Sequence, residues 1–285
     1  MKILVTGSSG SFGRRVVAEL AENGHKVVGL DSRPPETAAC LSLIADLKNP
    51  GEVYSVMHEQ EPDGIINLAA IPRPGITSAR QTFLTNTEAA YNVFEAASVL
   101  GIKKIVHAST DSSYGFVFAK HGIMPKYLPV DELHPQLPQD CYGGSKLINE
   151  QTAQIFTRAN PDMQISCIRI CWLIEPEKLS DFAKRDETPE SIYPEHRGLF
   201  GYIDMRDAAA GFRLALEADL PGFSVFNLMA KDTTVRTGTK ELIERYFKGV
   251  EIRKEFTENE ALFSSEEATR VFGWRQRYSW RGELN

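Results

Sequence analysis

The sequence predicts an α/β fold: a doubly wound parallel sheet with a small mixed α/β region toward the C-terminus. Two observations carry this. Continuously apolar runs of strand length alternate with amphipathic stretches of helix length through the first 170 residues, as expected for strands buried on both faces and joined by helical crossovers. The first apolar run, residues 3–5, enters a turn containing Gly7, Gly10 and Gly13 and then a helix. In that context glycines let backbone amides approach a pyrophosphate at a helix N-terminus.

Taken in order, residues 3–5 read as the first strand, 12–23 as a helix and 26–30 as the second strand. Residues 41–45 form the third strand, 50–60 a helix, 65–68 the fourth strand and 78–100 a long helix. Residues 102–108 form the fifth strand, 142–159 a helix and 165–170 the sixth strand. Between Gly115 and Asp140 the alternation lapses into a stretch containing Pro125, Pro129, Pro135 and Pro138. A loop of that length in a compact domain is expected to cover a site, here as a wall of the active centre. Beyond Trp172 the pattern weakens. Residues 175–196 are polar and irregular, 199–203 read as a strand, 206–217 as a helix, 223–227 as a strand and 238–247 as a helix. Residues 1–170 are therefore expected to be a Rossmann dinucleotide-binding domain whose sheet is completed by parts of 199–230. Residues 171–285 are expected to form a smaller substrate-binding region interleaved with it. No internal repeat or low-complexity linker is visible.

At 285 residues, with 42% hydrophobic and 25% charged residues and a net charge of −6, the composition is that of an ordinary acidic soluble protein. No basic run makes a nucleic-acid footprint. No stretch has the length of a membrane span, and the N-terminus enters a strand without the regions of a signal peptide. The four cysteines, Cys40, Cys141, Cys167 and Cys171, contain no Cys-x-x-Cys pair, and the six histidines show no ligand spacing. A reduced, cytoplasmic setting without a structural metal is expected. Cys141 beside Tyr142 reads as a small apolar neighbour, and His107 as a satisfied core residue.

Asp31 ends the second strand 18 residues past Gly13, the distance at which a carboxylate accepts hydrogen bonds from an adenosine ribose. It would repel a 2′-phosphate, so NAD is favoured, while Arg33 two positions on keeps NADP open. Tyr142 and Lys146 stand four apart on a helix and share a face. The ammonium is expected beside the phenol, depressing its pKa of about 10. Arg73, between Pro72 and Pro74, is placed to meet a substrate carboxylate near the nicotinamide end.

These features fall into one arrangement, and the chain resembles the extended short-chain dehydrogenase/reductases, also called NAD-dependent epimerase/dehydratases, over nearly its whole length. The marks are Gly7-x-x-Gly10-x-x-Gly13, Asp31, Asp46-Leu47, Asn67-Leu-Ala-Ala, Asn86, Ser109-Thr110-Asp111-x-x-Tyr114-Gly115 and Tyr142-x-x-x-Lys146. The resemblance implies that Asp46 and Leu47 contact adenine. It implies that Leu68, Ala69 and Ala70 line the diphosphate and ribose, and that Lys146 binds the nicotinamide ribose. Ser9, Ser11, Phe12, Ser32, Asn86, Ala108 and Ile170 complete the implied cofactor contacts. Thr110 takes the place of the family's catalytic Ser or Thr. Tyr142 as phenolate would then take the proton of a substrate hydroxyl as hydride passes to NAD, with Thr110 hydrogen-bonding the oxygen.

Departures from the family pattern narrow the reaction. Thr110 and Asp111 match the dehydratases, but Ser112 stands where their glutamate would be, so dehydration loses its base. Phe200 stands where many relatives place an arginine that grips a nucleotide-sugar diphosphate, with Arg197 and Arg206 nearby. Trp172 would make one wall of the pocket bulky and apolar, suiting a smaller substrate, or would pack as inter-domain core. Asp111, Ser112, Trp172 and Arg73 are the expected substrate contacts. The function expected is an NAD-dependent oxidoreductase acting on a hydroxyl or hemiacetal of a small sugar-like molecule. A nucleotide-sugar epimerase using the same Tyr and Thr is the enzymatic rival. A dinucleotide-sensing regulator is the rival from another class, disfavoured by the intact Tyr142/Lys146 pair. The resemblance also implies a homodimer through helices 78–100 and 142–159.

Overall fold

The computed structural model describes residues 1–35 and 39–283. The strands are β1 (Lys2–Thr6), β2 (Lys26–Asp31), β3 (Leu41–Ile44), β4 (Gly64–Asn67), β5 (Lys104–Thr110), β6 (Tyr127–Leu128), β7 (Gln164–Ile170), β8 (Leu173–Ile174), β9 (Ile203–Asp204), β10 (Gly222–Leu228), β11 (Glu251–Ile252), β12 (Tyr278–Ser279) and β13 (Gly282–Glu283). The helices are α1 (Ser11–Glu22), α2 (Pro50–Gln60), α3 (Ala79–Leu100), α4 (Cys141–Ala159), α5 (Asp181–Lys184), α6 (Pro189–Ile192), α7 (Met205–Glu217), α8 (Thr239–Tyr246) and α9 (Glu266–Phe272). Seven strands form one parallel sheet in the order β10-β7-β5-β4-β1-β2-β3. The order reverses between β1 and β4, and a doubly wound sheet binds its ligand outside the carboxyl ends of the strands at that point.

Alternation along each strand sends side chains to opposite faces. On one face Ile3 and Val5 pack with Val16, Val17, Phe212 and Leu216 of α1 and α7. On the other Leu4 packs with Val53, Val93, Phe94 and Ile105, under α2 and α3. The helix starts are set locally. Asn49 and Ser78 cap α2 and α3 by accepting from Gly51 N at 3.1 Å and Gln81 N at 3.2 Å. Asp140 caps α4 by accepting from Tyr142 N (2.9 Å) and Gly143 N (2.8 Å), which places Tyr142 in the first turn.

Residues 199–203 are not a strand of the sheet, contrary to expectation. A 3₁₀ turn at Tyr193–Gly198 carries the chain into Leu199 and Phe200 at φ of 49° and 54°, and the only strand here is the two-residue β9, paired with β8. An apolar pattern reads as a strand, but the amides of Leu199 and Phe200 are already used by His196 O and Glu195 O. Both side chains are buried, which offsets the cost of left-handed backbone at non-glycine residues. The strand that completes the sheet from the second half is β10 alone, paired with β7.

A buried ion pair lies behind the ends of β5 and β7. Arg169 Nε and Nη2 donate to Glu150 Oε1 (3.0 Å) and Oε2 (2.7 Å), with both side chains under 5% exposed at 4% and 3%. Ser109 Oγ donates to Glu150 Oε1 at 2.5 Å and Gln136 Nε2 to Oε2 at 3.0 Å. Arg169 Nη1 donates to the Tyr114 hydroxyl and to Glu132 O, at 2.9 and 3.0 Å. The network ties α4, β5, β7 and the proline-rich loop together one residue from Thr110.

Candidate active site

A cavity of about 860 Å³ opens at the carboxyl ends of the central strands. Gly7, Gly10, Ser11, Phe12 and Gly13 lie along one end, with Asp31, Ser32, Arg33, Asp46, Leu47, Leu68, Ala69 and Ala70 around it. Ala108, Thr110, Asp111, Ser112, Tyr142, Lys146 and Ile170 line its middle, and Arg73 and Trp172 lie on the walls beyond. Gly7 and Gly13 are sterically required. A Cβ at Gly13 would sit 2.1 Å from Gly7 O, and one at Gly7, whose φ is +70°, would sit 2.9 Å from Ala69 N. Asp31 Oδ2 accepts from Ser9 N (3.0 Å) and Oδ1 from Arg33 N (3.2 Å), so the carboxylate is oriented at the rim of the cradle. The chain's own residues fit a dinucleotide: a backbone-only approach for the pyrophosphate, an acid for the ribose, and apolar walls at Leu47 and Leu68.

Ser9 and Asn86 are not on the cavity wall. Ser9 Oγ donates to Arg33 O at 2.9 Å, bracing the turn from behind. Asn86 is buried and committed elsewhere: its Oδ1 accepts from Ile71 N (2.8 Å), and its Nδ2 donates to Ile71 O and Ser145 Oγ, both at 3.1 Å. It positions the segment after β4 against α4.

Lys146 and Tyr142 share the wall, but the ammonium is not in contact with the phenol oxygen. Lys146 Nζ donates to Ala108 O at 2.7 Å and lies 6.0 Å from the Tyr142 ring centroid. Burial pulls the Lys146 ammonium down to about 8. Burial also raises the Tyr142 phenol above its ordinary value, opposed by a hydrogen bond from Thr110 and reinforced by Asp111 and Asp140. Desolvation dominates, and the group that opposes it is Thr110 rather than Lys146. Thr110 Oγ1 accepts from Ser112 N at 3.2 Å and donates to Asp111 Oδ1 at 3.1 Å. Asp111 is buried, and burial pushes its carboxyl up to about 7. His107, also buried, contacts Asn67 Nδ2 through Nδ1 (3.1 Å) and Asn149 Nδ2 through Nε2 (3.4 Å). Burial keeps it neutral.

The substrate end holds residues the sequence did not single out: Val117 and Phe118 from the proline-rich loop, and Pro194, Glu195 and Gly198 from the 3₁₀ turn. Trp172 is half exposed and meets Phe182 edge-on at 5.6 Å. Phe200 is on the wall and buried. The neighbouring arginines are engaged. Arg206 forks onto Asp204 (Nε–Oδ1 2.9 Å, Nη2–Oδ2 2.8 Å) and lies over the Tyr278 ring. Arg197 Nη1 donates to Ala119 O at 3.4 Å. Arg73 is exposed at the mouth.

Fold and site together define a dinucleotide-dependent enzyme of the short-chain dehydrogenase/reductase class. Residues 3–228 match the NAD dependent epimerase/dehydratase family, and the chain belongs to it. Among curated relatives, L-arabinose 1-dehydrogenase (NAD(P)(+)) of Haloferax volcanii is 28% identical over 225 residues, covering 77% of this chain and 84% of that protein. The dTDP-6-deoxy-L-talose 4-dehydrogenase (NAD(+)) of Aggregatibacter actinomycetemcomitans is 22% identical over 260 residues, covering 86% and 91%. UDP-glucose 4-epimerase of Lacticaseibacillus casei is 32% identical, but over 158 residues, 53% of this chain and 45% of that one. A short-chain dehydrogenase/reductase superfamily protein from Agrobacterium tumefaciens with bound NAD superposes with a TM-score of 0.74 at 23% identity, over 99% of this chain and 94% of the other. That likeness establishes the fold.

Proposed function

We propose that the protein is an NAD-dependent dehydrogenase/reductase that acts on a hydroxyl or hemiacetal carbon of a small, free sugar-like molecule. Bound NAD would supply the hydride acceptor. Tyr142 takes the substrate proton, Thr110 donates to the reacting oxygen, and Lys146, anchored on Ala108 O, holds the positive charge that favours phenolate. Asp31 at the rim favours NAD over NADP, because a 2′-phosphate would meet its carboxylate. The residues from β8 to β9 and from Met229 onward serve as the substrate-binding region over the sheet's carboxyl end.

The observation that carries the small-substrate reading is that, among the described residues, no cationic clamp lines the far end of the cavity. Phe200 occupies the wall, Arg206 is paired with Asp204, and Arg197 is turned to Ala119 O. A diphosphate closed into such a site leaves charge unpaired, at a cost of several kcal/mol. Competition tests this. UDP and UDP-glucose at micromolar concentration are expected neither to raise the melting temperature of the NAD-bound protein nor to inhibit turnover. Protection or inhibition would establish a diphosphate site and put the epimerase in place of the dehydrogenase.

A homodimer through α3 and α4 accompanies this reading. Leu84 and Tyr91 on α3, and Ile148 and Ile155 on α4, are exposed and spaced by seven, so each pair shares one helix face. The four cysteines are free thiols, which suits a cytoplasmic setting.

A further inference from the structure

We infer that Glu195 is the substrate-specificity residue of this site. It reads hydroxyls at the non-reacting end of the substrate, so the enzyme takes an uncharged aldose or polyol in preference to the corresponding sugar acid. The inference rests on the function proposed above and narrows it to a class of substrate.

Glu195 lines the cavity, and its side chain is 18% exposed. It is held there by a built arrangement. Arg185 Nη1 pairs with Oε1 and Nη2 with Oε2, the latter at 3.2 Å, and the Thr234 hydroxyl donates to Oε2. Arg185 is itself fixed, donating through Nη2 to Thr234 O at 2.6 Å and lying 5.1 Å from the Phe182 ring centroid. A fork-to-fork pair of this kind sets the carboxylate plane as well as its position.

An ionised carboxylate offers about four acceptor positions and no donor. Arg185 and Thr234 take three, with one remaining on Oε1. What can satisfy it is an O–H or N–H. A second carboxylate or a phosphate brings only acceptors and a like charge. Asp111 adds a further carboxyl on the wall, and of the lining cations Arg33, Lys48, Arg73 and Lys146, Arg33 and Lys48 lie by Asp31 and Leu47 at the dinucleotide end, while Arg73 stands at the exposed mouth. Trp172 supplies what a polar clamp cannot, an accessible aromatic surface for the C–H face of a sugar ring, steadied edge-on by Phe182. An apolar platform with a few oriented polar groups is how small-ligand sites fix orientation.

The test is steady-state kinetics with galactose and galacturonate, which differ only at C6, on the NAD-loaded wild-type enzyme and on Glu195→Gln. The wild type is expected to favour galactose in kcat/KM. Glu195→Gln is expected to raise the galactose KM by about tenfold, as for loss of a charge-assisted hydrogen bond, with a smaller change in kcat and a relative gain for galacturonate. NAD affinity, followed by fluorescence, should be unchanged. Should that variant not fold, Arg185→Lys keeps the charge but loses the fork, and it too is expected to raise the galactose KM. A wild type that prefers galacturonate, or a galactose KM unmoved in the variant, overturns the inference while leaving the dehydrogenase in place. Failure to oxidise either sugar, or any other free sugar, overturns the dehydrogenase itself.

Discussion

Tyr142→Phe is expected to lower turnover at least about 100-fold, the contribution typical of a positioned acid–base group, while leaving NAD affinity within a small factor of wild type. The substitution removes one oxygen and keeps the ring, so the edge-on contact with Phe118 at 6.5 Å survives. Lys146 keeps its bond to Ala108 O, which does not involve the phenol. Asp140 still caps α4 through backbone amides. What disappears is the proton acceptor next to Thr110. Because burial raises the phenol's pKa, the phenolate is the minority form at neutral pH, and oxidation by the wild type should quicken as pH rises through the alkaline range. Turnover at saturating cofactor measures the loss. A variant with normal turnover would remove Tyr142 from the chemistry.

Arg169→Met is expected to cost about 3–5 kcal/mol of stability, since it leaves the Glu150 carboxylate buried without its partner. For a chain of this size that is a fall in melting temperature on the order of 10 °C. The guanidinium also bonds the Tyr114 hydroxyl and Glu132 O, so the loss loosens the proline-rich loop as well as α4. Adding Glu150→Leu should recover much of the loss, because a buried pair exchanged whole for apolar groups is often neutral. Scanning fluorimetry of the single and double variants reads both effects. A single variant melting within about 2 °C of wild type would mean that water already reaches the pair.

What was legible in the chain was what is encoded locally. The apolar periodicity of β1 to β5 and of β7, the glycines whose Cβ atoms would strike backbone, and the i, i+4 pair on α4 each carry their signal within a few residues. What was missed depends on distant segments meeting. Glu195 and Arg185 are 10 apart in a polar stretch without period, and Thr234 lies 39 beyond Glu195. Leu199 and Phe200 look like strand residues until their amides are found inside a 3₁₀ turn. The Lys146 ammonium was expected at the phenol, but the carbonyl of Ala108 at the end of β5 is its nearer partner. Periodicity tells which face of a helix a side chain occupies, and the neighbouring strand decides what it bonds.

The central claim is net oxidation of a free sugar, and net NADH formation measures it most directly. Free aldoses, uronates and polyols are each incubated with NAD and the purified enzyme, alongside UDP-glucose, and absorbance of the reduced cofactor is followed. Many NADH per enzyme are expected from at least one free sugar and none from UDP-glucose. Conversion of UDP-glucose to its C4 epimer with no net NADH, and silence from every free sugar, would contradict the claim.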